Sequence, residues 1–334
     1  MPDLLTVRNL VMHFPVRRGF MGRKTAVVHA VDDVSFSLEE NETLGLVGES
    51  GCGKTTTGFS ILRLIEPTSG EVWFKGENIL ALTPEGMRKH RRHMQIVFQD
   101  PFGSLNPRLT VEQVIEEPLL NNENLSEAER CFRVAEILDL VGLLPEHMTR
   151  FPHEFSGGQR QRICVARALV LRPGLVVGDE PVSALDVSVR AQVLNLMVRL
   201  QRQLNLSYLF ISHDLAVIRY VSHRVGVMYL GQIVELAQTK ALYAGPLHPY
   251  TWALLSAVPV PDPRRVRKRI ILEGDVPSPM NPPAGCRFHP RCTEVKPICR
   301  EQAPIMRLVE DNHAVRCHLY TGGKTWNPPP PVVR

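Results

Sequence analysis

Residues 48–55 read GESGCGKT, and this stretch decides the fold. It fits the pattern G-x-x-x-x-G-K-[ST], with a strand-like apolar run at residues 44–47 before it and helical spacing at residues 55–64 after it. Glycines let successive backbone N–H groups turn towards phosphate oxygens, and the helix N-terminus adds a favourable potential. The sequence therefore predicts a phosphate-binding loop between a strand and a helix of an α/β fold.

The polar residues of this loop have distinct predicted roles. Lys54 places a positive charge at the β- and γ-phosphates of a nucleotide, and the Thr55 hydroxyl binds Mg²⁺. Cys52 occupies a free position of the pattern, where we expect it to fill space rather than to act as a redox switch. The residues assigned to nucleotide binding in this stretch are Gly48, Ser50, Gly51, Gly53, Lys54, Thr55 and Thr56.

A second apolar run, residues 175–180, reads LVVGDE and ends in two acids. Asp179 is predicted to hold Mg²⁺ through water, and Glu180 to polarise an attacking water. Taken alone, such a run is common at the end of a surface strand. The position of this run relative to the glycine-rich loop is what favours its interpretation as the second half of a nucleotide site.

The composition describes a globular chain of 334 residues that is 44% hydrophobic, with a formal net charge of +5. This length allows two domains and a large core. No stretch approaches the roughly 18 to 20 uninterrupted apolar residues of a membrane-spanning helix, and residues 1–10 lack the pattern of a secretory signal, so we expect a cytoplasmic protein. The basic cluster at residues 264–269 favours a solvated linker over a nucleic-acid site, with lipid headgroups as an open alternative.

Hydrophobic periodicity predicts how the elements follow one another. Residues 5–11 and 31–38 read as strands of an antiparallel opening sheet, and residues 108–150 read as a helical insertion. Strands at residues 175–177 and 208–211, with a helix over residues 187–204 between them, indicate parallel strands joined by a right-handed crossover.

The composition changes after about residue 255. Proline and cysteine become frequent, which predicts a second small module. The run of four prolines at residues 328–331 predicts a disordered tail.

Residues 155–162 read FSGGQRQR about twenty residues before the acidic strand, and here the chain resembles the ABC ATPase family. Ser156 and the two glycines after it, at a helix start, form another anion site rich in N–H groups. The resemblance implies that the signature of one subunit closes on ATP held by its partner, so that two ATP molecules lie in a head-to-tail dimer. The signature residues assigned to nucleotide binding are Ser156, Gly157, Gly158 and Gln159.

Further residues match family motifs in the family's order. Gln99 resembles the glutamine that senses Mg²⁺ and the γ-phosphate, and residues 183–186, with Asp186 last, resemble the family segment that crosses the dimer interface. His213 resembles the switch histidine, and Phe14 the aromatic residue that stacks on adenine, where tyrosine is usual. The resemblance thus implies Glu180, His213 and Gln99 as catalytic residues, with Thr55, Gln99 and Asp179 as Mg²⁺ ligands.

The resemblance also implies an architecture. It is an α/β P-loop (RecA-like) ABC nucleotide-binding domain with an antiparallel β subdomain, a helical subdomain and a small Cys-rich C-terminal extension. We place the nucleotide-binding domain at residues 1–255, its helical subdomain at about residues 100–165 and the extension at residues 256–334. Gly178 departs from the family, which usually has an apolar residue there, and should weaken strand packing slightly.

Three segments are typical of one subfamily, the dipeptide and oligopeptide importer ATPases. They are FGSLNPR at residues 102–108, PVSALDVSVRAQ at residues 181–192 and HPYT at residues 248–251. The chain looks most like the "F"-type subunit of that group, which includes nickel importers. This implies a paralogous ATPase subunit or a second copy as dimer partner, two transmembrane permease subunits and an extracytoplasmic peptide-binding protein. It also implies a peripheral position on the cytoplasmic face of the inner (plasma) membrane, with no nucleic-acid partner.

Four cysteines fall within 32 residues: Cys286, Cys292, Cys299 and Cys317. Because a reducing compartment disfavours disulfides, this clustering suggests a metal or an iron–sulfur cluster. The spacings of five, six and seventeen residues do not fit paired C-x-x-C zinc motifs, so zinc ranks second, and plain small buried residues remain an alternative. Some importer ATPases hold a [4Fe–4S] cluster on a similar set, which the resemblance implies here.

We interpret the chain as the ATP-binding and ATP-hydrolysing subunit of a dipeptide or oligopeptide importer, driven by ATP-dependent dimerisation of two cassettes. One alternative is a non-transport ABC ATPase acting on nucleic acid or ribosomes. The others are a cassette for nickel or another small solute, and an exporter cassette. A single cassette without a zinc-knuckle or coiled-coil insertion argues against the first, and the importer-like C-terminal region argues against an exporter.

Overall fold

The computed structural model describes residues 3–17, 25–258, 270–310, 312–321 and 324–326. The basic cluster at residues 264–269 and the proline run at residues 328–331 lie outside the described residues. Contacts group the chain into two compact units. The first comprises Met1–Leu38, Leu44–Leu80 and Ser212–Arg334, and the second comprises Glu39–Thr43 and Ala81–Ile211. The domain boundaries predicted from the sequence stay a prediction.

The described strands follow the β-rich stretches of the sequence at both ends of the chain and in its middle. They are β1 (Asp3–Arg17), β2 (Thr25–Glu39), β3 (Thr43–Val47), β4 (Ser69–Phe74), β5 (Glu77–Asn78), β6 (Met94–Val97), β7 (Leu175–Asp179), β8 (Ser207–Ser212), β9 (Arg224–Tyr229), β10 (Gln232–Gln238), β11 (Arg307–Glu310), β12 (His313–Val315) and β13 (Lys324–Thr325).

The described α-helices are α1 (Lys54–Ile61), α2 (Pro84–Arg91), α3 (Pro101–Ser104), α4 (Val111–Asn122), α5 (Glu127–Leu140), α6 (Gly157–Leu169), α7 (Val187–Leu204), α8 (Leu215–Val221), α9 (Thr239–Ala244), α10 (Pro249–Ser256) and α11 (Ile298–Glu301). Short 3₁₀ helices span Ile79–Ala81, Pro145–Thr149, Pro152–Glu154 and His289–Arg291. Within the described residues, no helix is both long enough and apolar enough to cross a membrane.

In the first unit, an antiparallel sheet has the strand order β2-β1-β4-β5. Both strands predicted for the opening of the chain form, and β1 pairs antiparallel with β4, with Leu5 opposite Phe74. Both of these side chains are fully buried. Burial of one face of the sheet therefore fixes the register of β1, since a shift by one residue would expose that face.

The same unit contains a second set of strands that carries the glycine-rich loop. β3 is buried along its whole length and runs parallel to β9, with Val47 opposite Val227. β9 pairs antiparallel with β10, and β10 pairs antiparallel with β12. β11 then pairs with β12 and β13. Strands from the C-terminal region thus add to the edge of β10.

The second unit contains the parallel strands β6, β7 and β8, with β7 between the other two. All five residues of β7 are buried, as expected for a central parallel strand. The helix predicted over residues 187–204 is α7, and α4 and α5 form within the predicted helical insertion. The predicted alternation of parallel strands and helices is therefore confirmed.

Candidate nucleotide-binding site

The GESGCGKT loop connects β3 to α1 and depends on its glycines. Gly48 has φ 156° and Gly53 has φ 103°, a backbone region that side chains disfavour. A Cβ on Gly48 would lie 2.1 Å from the carbonyl oxygen of Met228, and one on Gly53 would lie 2.1 Å from that of Ala30. The main chain of this loop therefore packs directly against neighbouring main chain, and only glycine fits at these two positions.

Lys54 is buried at the first position of α1, and its ammonium group lies over the loop. Nζ donates hydrogen bonds to the carbonyl oxygens of Gly48, at 2.8 Å, and Glu49, at 3.1 Å. The first turn of α1 contains no acidic residue, so the helix N-terminus stays favourable for an anion. Thr55 is exposed in the same turn. This arrangement can bind phosphate oxygens through backbone N–H groups and one lysine.

Cys52 is buried within the loop, 3.8 Å from Lys54 Nζ. Burial raises the pKa of its thiol, so the thiol stays protonated near neutral pH. A protonated, buried thiol is a poor nucleophile, which agrees with the predicted role of Cys52 as a small space-filling residue.

In the second unit, β7 delivers two acids to its carboxyl end. Asp179 is 4% exposed, and Glu180 is half-buried. Glu180 has φ 45°, a left-handed conformation that is rare for a non-glycine residue. Its N–H donates to the carbonyl oxygen of Ile211 at 3.0 Å, and its own carbonyl accepts from Ser183 Oγ at 3.0 Å. The backbone of Glu180 is therefore held in an unfavourable conformation by neighbours on both sides.

Gln99 follows β6, the strand next to β7, and its side chain reaches Glu180. Gln99 Nε2 donates to Glu180 Oε2 at 3.4 Å. Because β6 and β7 are parallel, their carboxyl ends meet at one edge, where ligands commonly bind in α/β folds. The structure thus brings together three predicted residues: Gln99, Asp179 and Glu180.

Ser156 is the exposed N-cap of α6, followed by a half-buried Gly157 and a buried Gly158. Its Oγ accepts from the N–H of Gln159 at 3.4 Å, and Gln159 Oε1 accepts from the N–H of Ser156 at 3.0 Å. A Cβ on Gly158 would lie 2.3 Å from Cγ1 of Val189, so this glycine allows α6 to approach α7 closely. The signature segment therefore presents a helix N-terminus to solvent, as a site for a partner's anion requires.

The remaining predicted residues lie at exposed or half-buried positions. Asp186 is exposed and directly precedes α7, and His213 is exposed directly after β8. Phe14 is half-buried on β1. The first unit carries Phe14, His213 and the GESGCGKT loop, whereas the second carries Gln99, Asp179, Glu180, Ser156 and Asp186.

The four C-terminal cysteines form no disulfide, and Cys286 and Cys317 each interact with other cysteines of the set. The N–H of Cys286 donates to the carbonyl oxygen of Cys299 at 2.8 Å. Burial raises the pKa of Cys286 to about 11 and that of Cys317 to about 12, and the neighbouring cysteines add to both rises. Four thiolates in such a place need a compensating cation.

Sequence reasoning missed two features of the first unit. Tyr250 and Arg291 both contact Glu49 of the glycine-rich loop, although they lie more than 200 residues away in the chain. The HPYT segment is typical of the importer subfamily, but no sequence signal links it to the glycine-rich loop.

The second feature is a cluster of His13, His29 and Asp32, whose possible metal-ligand atoms lie within 4.8 Å of one another. The guanidinium of Arg287 pairs with Asp32 of this cluster.

Comparison with known proteins adds two family matches. Residues 31–183 match the family described as ABC transporter. Residues 234–299 match the family described as oligopeptide/dipeptide transporter, C-terminal region.

Curated relatives cover nearly the whole chain. The oligopeptide transport ATP-binding protein AppF of Bacillus subtilis (strain 168) is 55% identical over 95% of this chain and 98% of its own length. The probable peptide ABC transporter ATP-binding protein y4tS of Sinorhizobium fredii is 52% identical over 95% of this chain and 90% of its own length.

Solved structures give a consistent likeness. The dimeric post-hydrolysis state of the ATP-binding cassette MJ0796, bound to ADP and Pi, has a TM-score of 0.62 at 27% identity, covering 70% of this chain and 98% of that one. CbiO1 from Clostridium perfringens, part of an ABC transporter complex, has a TM-score of 0.62 at 26% identity, covering 73% and 92%.

Proposed function

This chain belongs to the family of ATP-binding subunits of oligopeptide and dipeptide ABC transporters, and from that membership we propose that it hydrolyses ATP to drive import of peptides. The predicted ABC ATPase cassette fold, an α/β fold with mixed sheets, is confirmed. The observation that carries the peptide assignment is the likeness to peptide-transport relatives along the whole chain, including the C-terminal region. An importer for nickel or another small solute is the alternative.

The proposed ATP site draws residues from two cassettes. One chain supplies Lys54 to the phosphates, and Thr55, Gln99 and Asp179 would hold Mg²⁺. When bound, Mg²⁺ neutralises charge on the phosphate oxygens. Glu180, hydrogen-bonded to Gln99, accepts a proton from the attacking water, and His213 contacts the γ-phosphate. The second cassette contributes its signature residues, Ser156 to Gln159. Asp186 lies at the dimer interface, and the Phe14 ring stacks on adenine.

We further propose the partners of this cassette. The second cassette is a paralogous subunit or a second copy of this chain, in keeping with the dimeric MJ0796 structures. The cassettes would bind two permease subunits at the cytoplasmic face of the membrane, and an extracytoplasmic peptide-binding protein on the other side would complete the transporter. Phe102, which follows Gln99 and is 63% exposed, lies 4.1 Å from the guanidinium of Arg160 in the signature helix. This contact would relay permease movement to the signature segment.

Reconstitution of the whole transporter in lipid vesicles tests the peptide assignment. We expect di- or oligopeptides, added with the binding protein, to raise ATP hydrolysis and to accumulate in the vesicles. Stimulation by Ni²⁺ or a non-peptide solute, with no response to any peptide, would replace the peptide assignment with the alternative. A transporter carrying Lys54→Ala serves as the control for ATP-independent leakage.

We also propose that Cys286, Cys292, Cys299 and Cys317 hold a [4Fe–4S] cluster in the C-terminal extension. The neighbouring thiols add to the raised pKa of both Cys286 and Cys317, so these cysteines lie close to others of the set. The spacings of five, six and seventeen residues do not fit the paired C-x-x-C motifs of common zinc sites, which favours an iron–sulfur cluster. Such a cluster would tie together a segment with little core of its own.

Iron and acid-labile sulfide analysis of anaerobically purified protein tests the cluster. We expect about four iron and four sulfide per chain, with loss of the visible absorbance in Cys317→Ser. Cys131→Ser is the matched control, because Cys131 is exposed on α5 in the other unit. Stoichiometric zinc without sulfide would contradict the proposal.

A further inference from the structure

Two side chains of the C-terminal region hydrogen-bond to Glu49 of the glycine-rich loop. This residue stands directly after Gly48, and both its side chain and its backbone are held. Arg291 Nη1 and Nη2 donate to the two carboxylate oxygens of Glu49 at 2.8 and 3.2 Å. The Glu49 N–H donates to the hydroxyl of Tyr250 at 2.9 Å. Two distant segments of the C-terminal region thus converge on one loop residue.

The partners of Glu49 are themselves rigidly packed. Tyr250 is fully buried at the start of α10, and the side chain of Arg291 is 8% exposed. The ring of Phe288, which is on the same loop as Arg291, packs at 5.4 Å from Tyr250 and 5.2 Å from Tyr229. A bidentate arginine–carboxylate pair fixes direction as well as distance. The hydrogen-bond partners of Glu49 therefore belong to, or lie beside, a buried cluster of aromatic rings rather than the exposed surface.

A second arginine on this loop reaches the opposite side of the glycine-rich loop through one intermediate. Arg287 Nη1 donates to the carbonyl oxygen of Leu230 at 2.6 Å. The next residue, Gly231, donates its N–H to the carbonyl oxygen of Cys52 at 2.9 Å. Residues 286–292 therefore support the glycine-rich loop at two points, near its first glycine and at Cys52.

We propose that Arg291 is a positioning residue for ATP, which acts by holding Glu49 and thereby the phosphate-binding loop in its binding conformation. Tyr250 supports the same residue through the backbone. The pairing also neutralises a carboxylate that would otherwise stand unpaired beside a site for phosphate. This inference rests on the proposed ATPase function and gives the peptide-transporter C-terminal region a role at the nucleotide site.

Loss of this support should weaken ATP binding more than catalysis. Bound ATP can itself order the loop, so the cost of ordering appears in affinity, whereas the hydrolytic residues at the end of β7 are unchanged. We expect Arg291→Gln to raise the KM for ATP about tenfold, equivalent to about 1.4 kcal/mol, with kcat within about twofold of the unsubstituted protein. Tyr250→Phe, which keeps the ring and removes the hydroxyl, should raise KM in the same direction.

The experiment measures KM and kcat for ATP in the assembled transporter and the Kd of the full-length chain for a non-hydrolysable ATP analogue. The variants are Arg291→Gln, Arg291→Lys, Glu49→Gln and the double variant Glu49→Gln/Arg291→Gln. Arg300→Gln is the matched control, because Arg300 is exposed on α11 of the same region. Arg291→Lys keeps the positive charge but not the planar guanidinium that makes two hydrogen bonds, so its affinity for ATP should lie between those of Arg291→Gln and the unsubstituted protein.

The double variant distinguishes a pair from two independent effects. If Arg291 acts through Glu49, the double variant binds ATP no more weakly than Arg291→Gln alone. Additive losses, or an Arg291→Gln KM equal to that of Arg300→Gln, would overturn the proposal.

Circular dichroism and thermal unfolding separate a folding defect from a positioning defect. Should Arg291→Gln fail to fold, Glu49→Gln removes the same ion pair from the other side. Hydrolysis by the unsubstituted transporter reports on the proposed function itself, whereas differences among the variants report only on this inference.

Discussion

At the scale of the residue, Glu180 combines a strained backbone with the position proposed for activating water. Its left-handed conformation is unfavourable for a side-chain-bearing residue, and strain of this kind persists only where neighbours enforce it. The enforcing contacts are the hydrogen bonds with Ile211 and Ser183. They direct the carboxylate towards Gln99, where the hydrogen bond between the two side chains forms.

Replacing Glu180 with glutamine should separate ATP binding from hydrolysis. Glutamine fits the same space and keeps a polar contact with Gln99, but it cannot accept a proton from water. We expect hydrolysis to fall at least about 100-fold, while ATP still binds and the closed dimer accumulates. Phosphate release and light scattering measure the two effects. Glu146→Gln, at an exposed acid of the same unit, should leave both unchanged, and normal turnover in Glu180→Gln would remove Glu180 from its assigned role.

Two adjacent glycines of the signature segment should respond differently to alanine. A Cβ on Gly158 would lie 2.3 Å from Val189, whereas one on Gly157 would meet Leu185 at 3.7 Å, an ordinary contact. We expect Gly158→Ala to lower the free energy of unfolding by about 1–3 kcal/mol, because a β-branched neighbour cannot easily move. Gly157→Ala should stay within about 1 kcal/mol of the unsubstituted protein. Urea denaturation measures both, and equal losses would show that α6 and α7 are less closely packed than described.

At the scale of the element, α5 and α6 have the same N-cap arrangement but different proposed roles. Ser126 caps α5 and Ser156 caps α6, each in a reciprocal arrangement with the side chain three residues later. Such caps satisfy backbone N–H groups that the helix leaves free. Only α6 has glycines after its cap, which leave its N-terminus open to an anion.

Removing each cap should therefore give similar losses of stability and different losses of function. We expect Ser126→Ala and Ser156→Ala each to destabilise the protein by about 1 kcal/mol. Only Ser156→Ala should also impair ATP-driven dimerisation, because its helix end is proposed to meet the partner's ATP. Thermal unfolding and analytical ultracentrifugation with ATP measure the two effects. A dimerisation defect of equal size in Ser126→Ala would mean that stability alone is responsible.

At the scale of the whole molecule, the free energy of unfolding of the first unit should depend on pH, because His248 titrates differently in the folded and unfolded chain. This side chain is fully buried, and its Nδ1 accepts from the N–H of Tyr250 at 3.1 Å. Burial lowers the pKa of His248 to about 4, against an ordinary value of 6.5. In the unfolded chain the imidazole gains a proton below pH 6.5, while in the folded chain it stays neutral until about pH 4. The stabilising contribution is present above pH 6.5 and is lost as the pH falls from 6.5 to 4.

Substitution of His248 by asparagine should reduce this pH dependence. Asparagine can still accept from the N–H of Tyr250 as an N-cap, but it does not titrate. The shift corresponds to roughly 3 kcal/mol lost across the window in the unsubstituted protein, and His248→Asn should lose less over the same range. Urea denaturation at several pH values between 4 and 7 measures the difference. Identical pH profiles would assign the dependence to other groups.

The parts of this molecule that sequence could predict are those whose partners are close in the chain. The glycine-rich loop and the acids at the end of β7 lie in strand–turn–helix patterns, and the cap of α6 depends on residues 156–159, so each of these signals spans only a few residues. The family resemblance assigned Gln99 and Glu180 to one site, but it did not predict the hydrogen bond between them. The pairing of Arg291 with Glu49 could not be predicted, because it depends on how β10, α10 and residues 286–292 pack over more than 200 residues of separation.

The two compact units have unequal histories during synthesis. Residues 81–211 of the second unit are made in one continuous run, so that unit can fold while translation continues. The first unit combines residues before position 81 with residues after position 211. During synthesis, β3 therefore lacks its partner strand β9 until residues 224–229 have been made. Tyr250 and Arg291 reach the glycine-rich loop last of all. A ribosome that stalls before residue 291 therefore leaves a protein whose nucleotide loop is made but not yet supported, and such a fragment is a natural target for quality control.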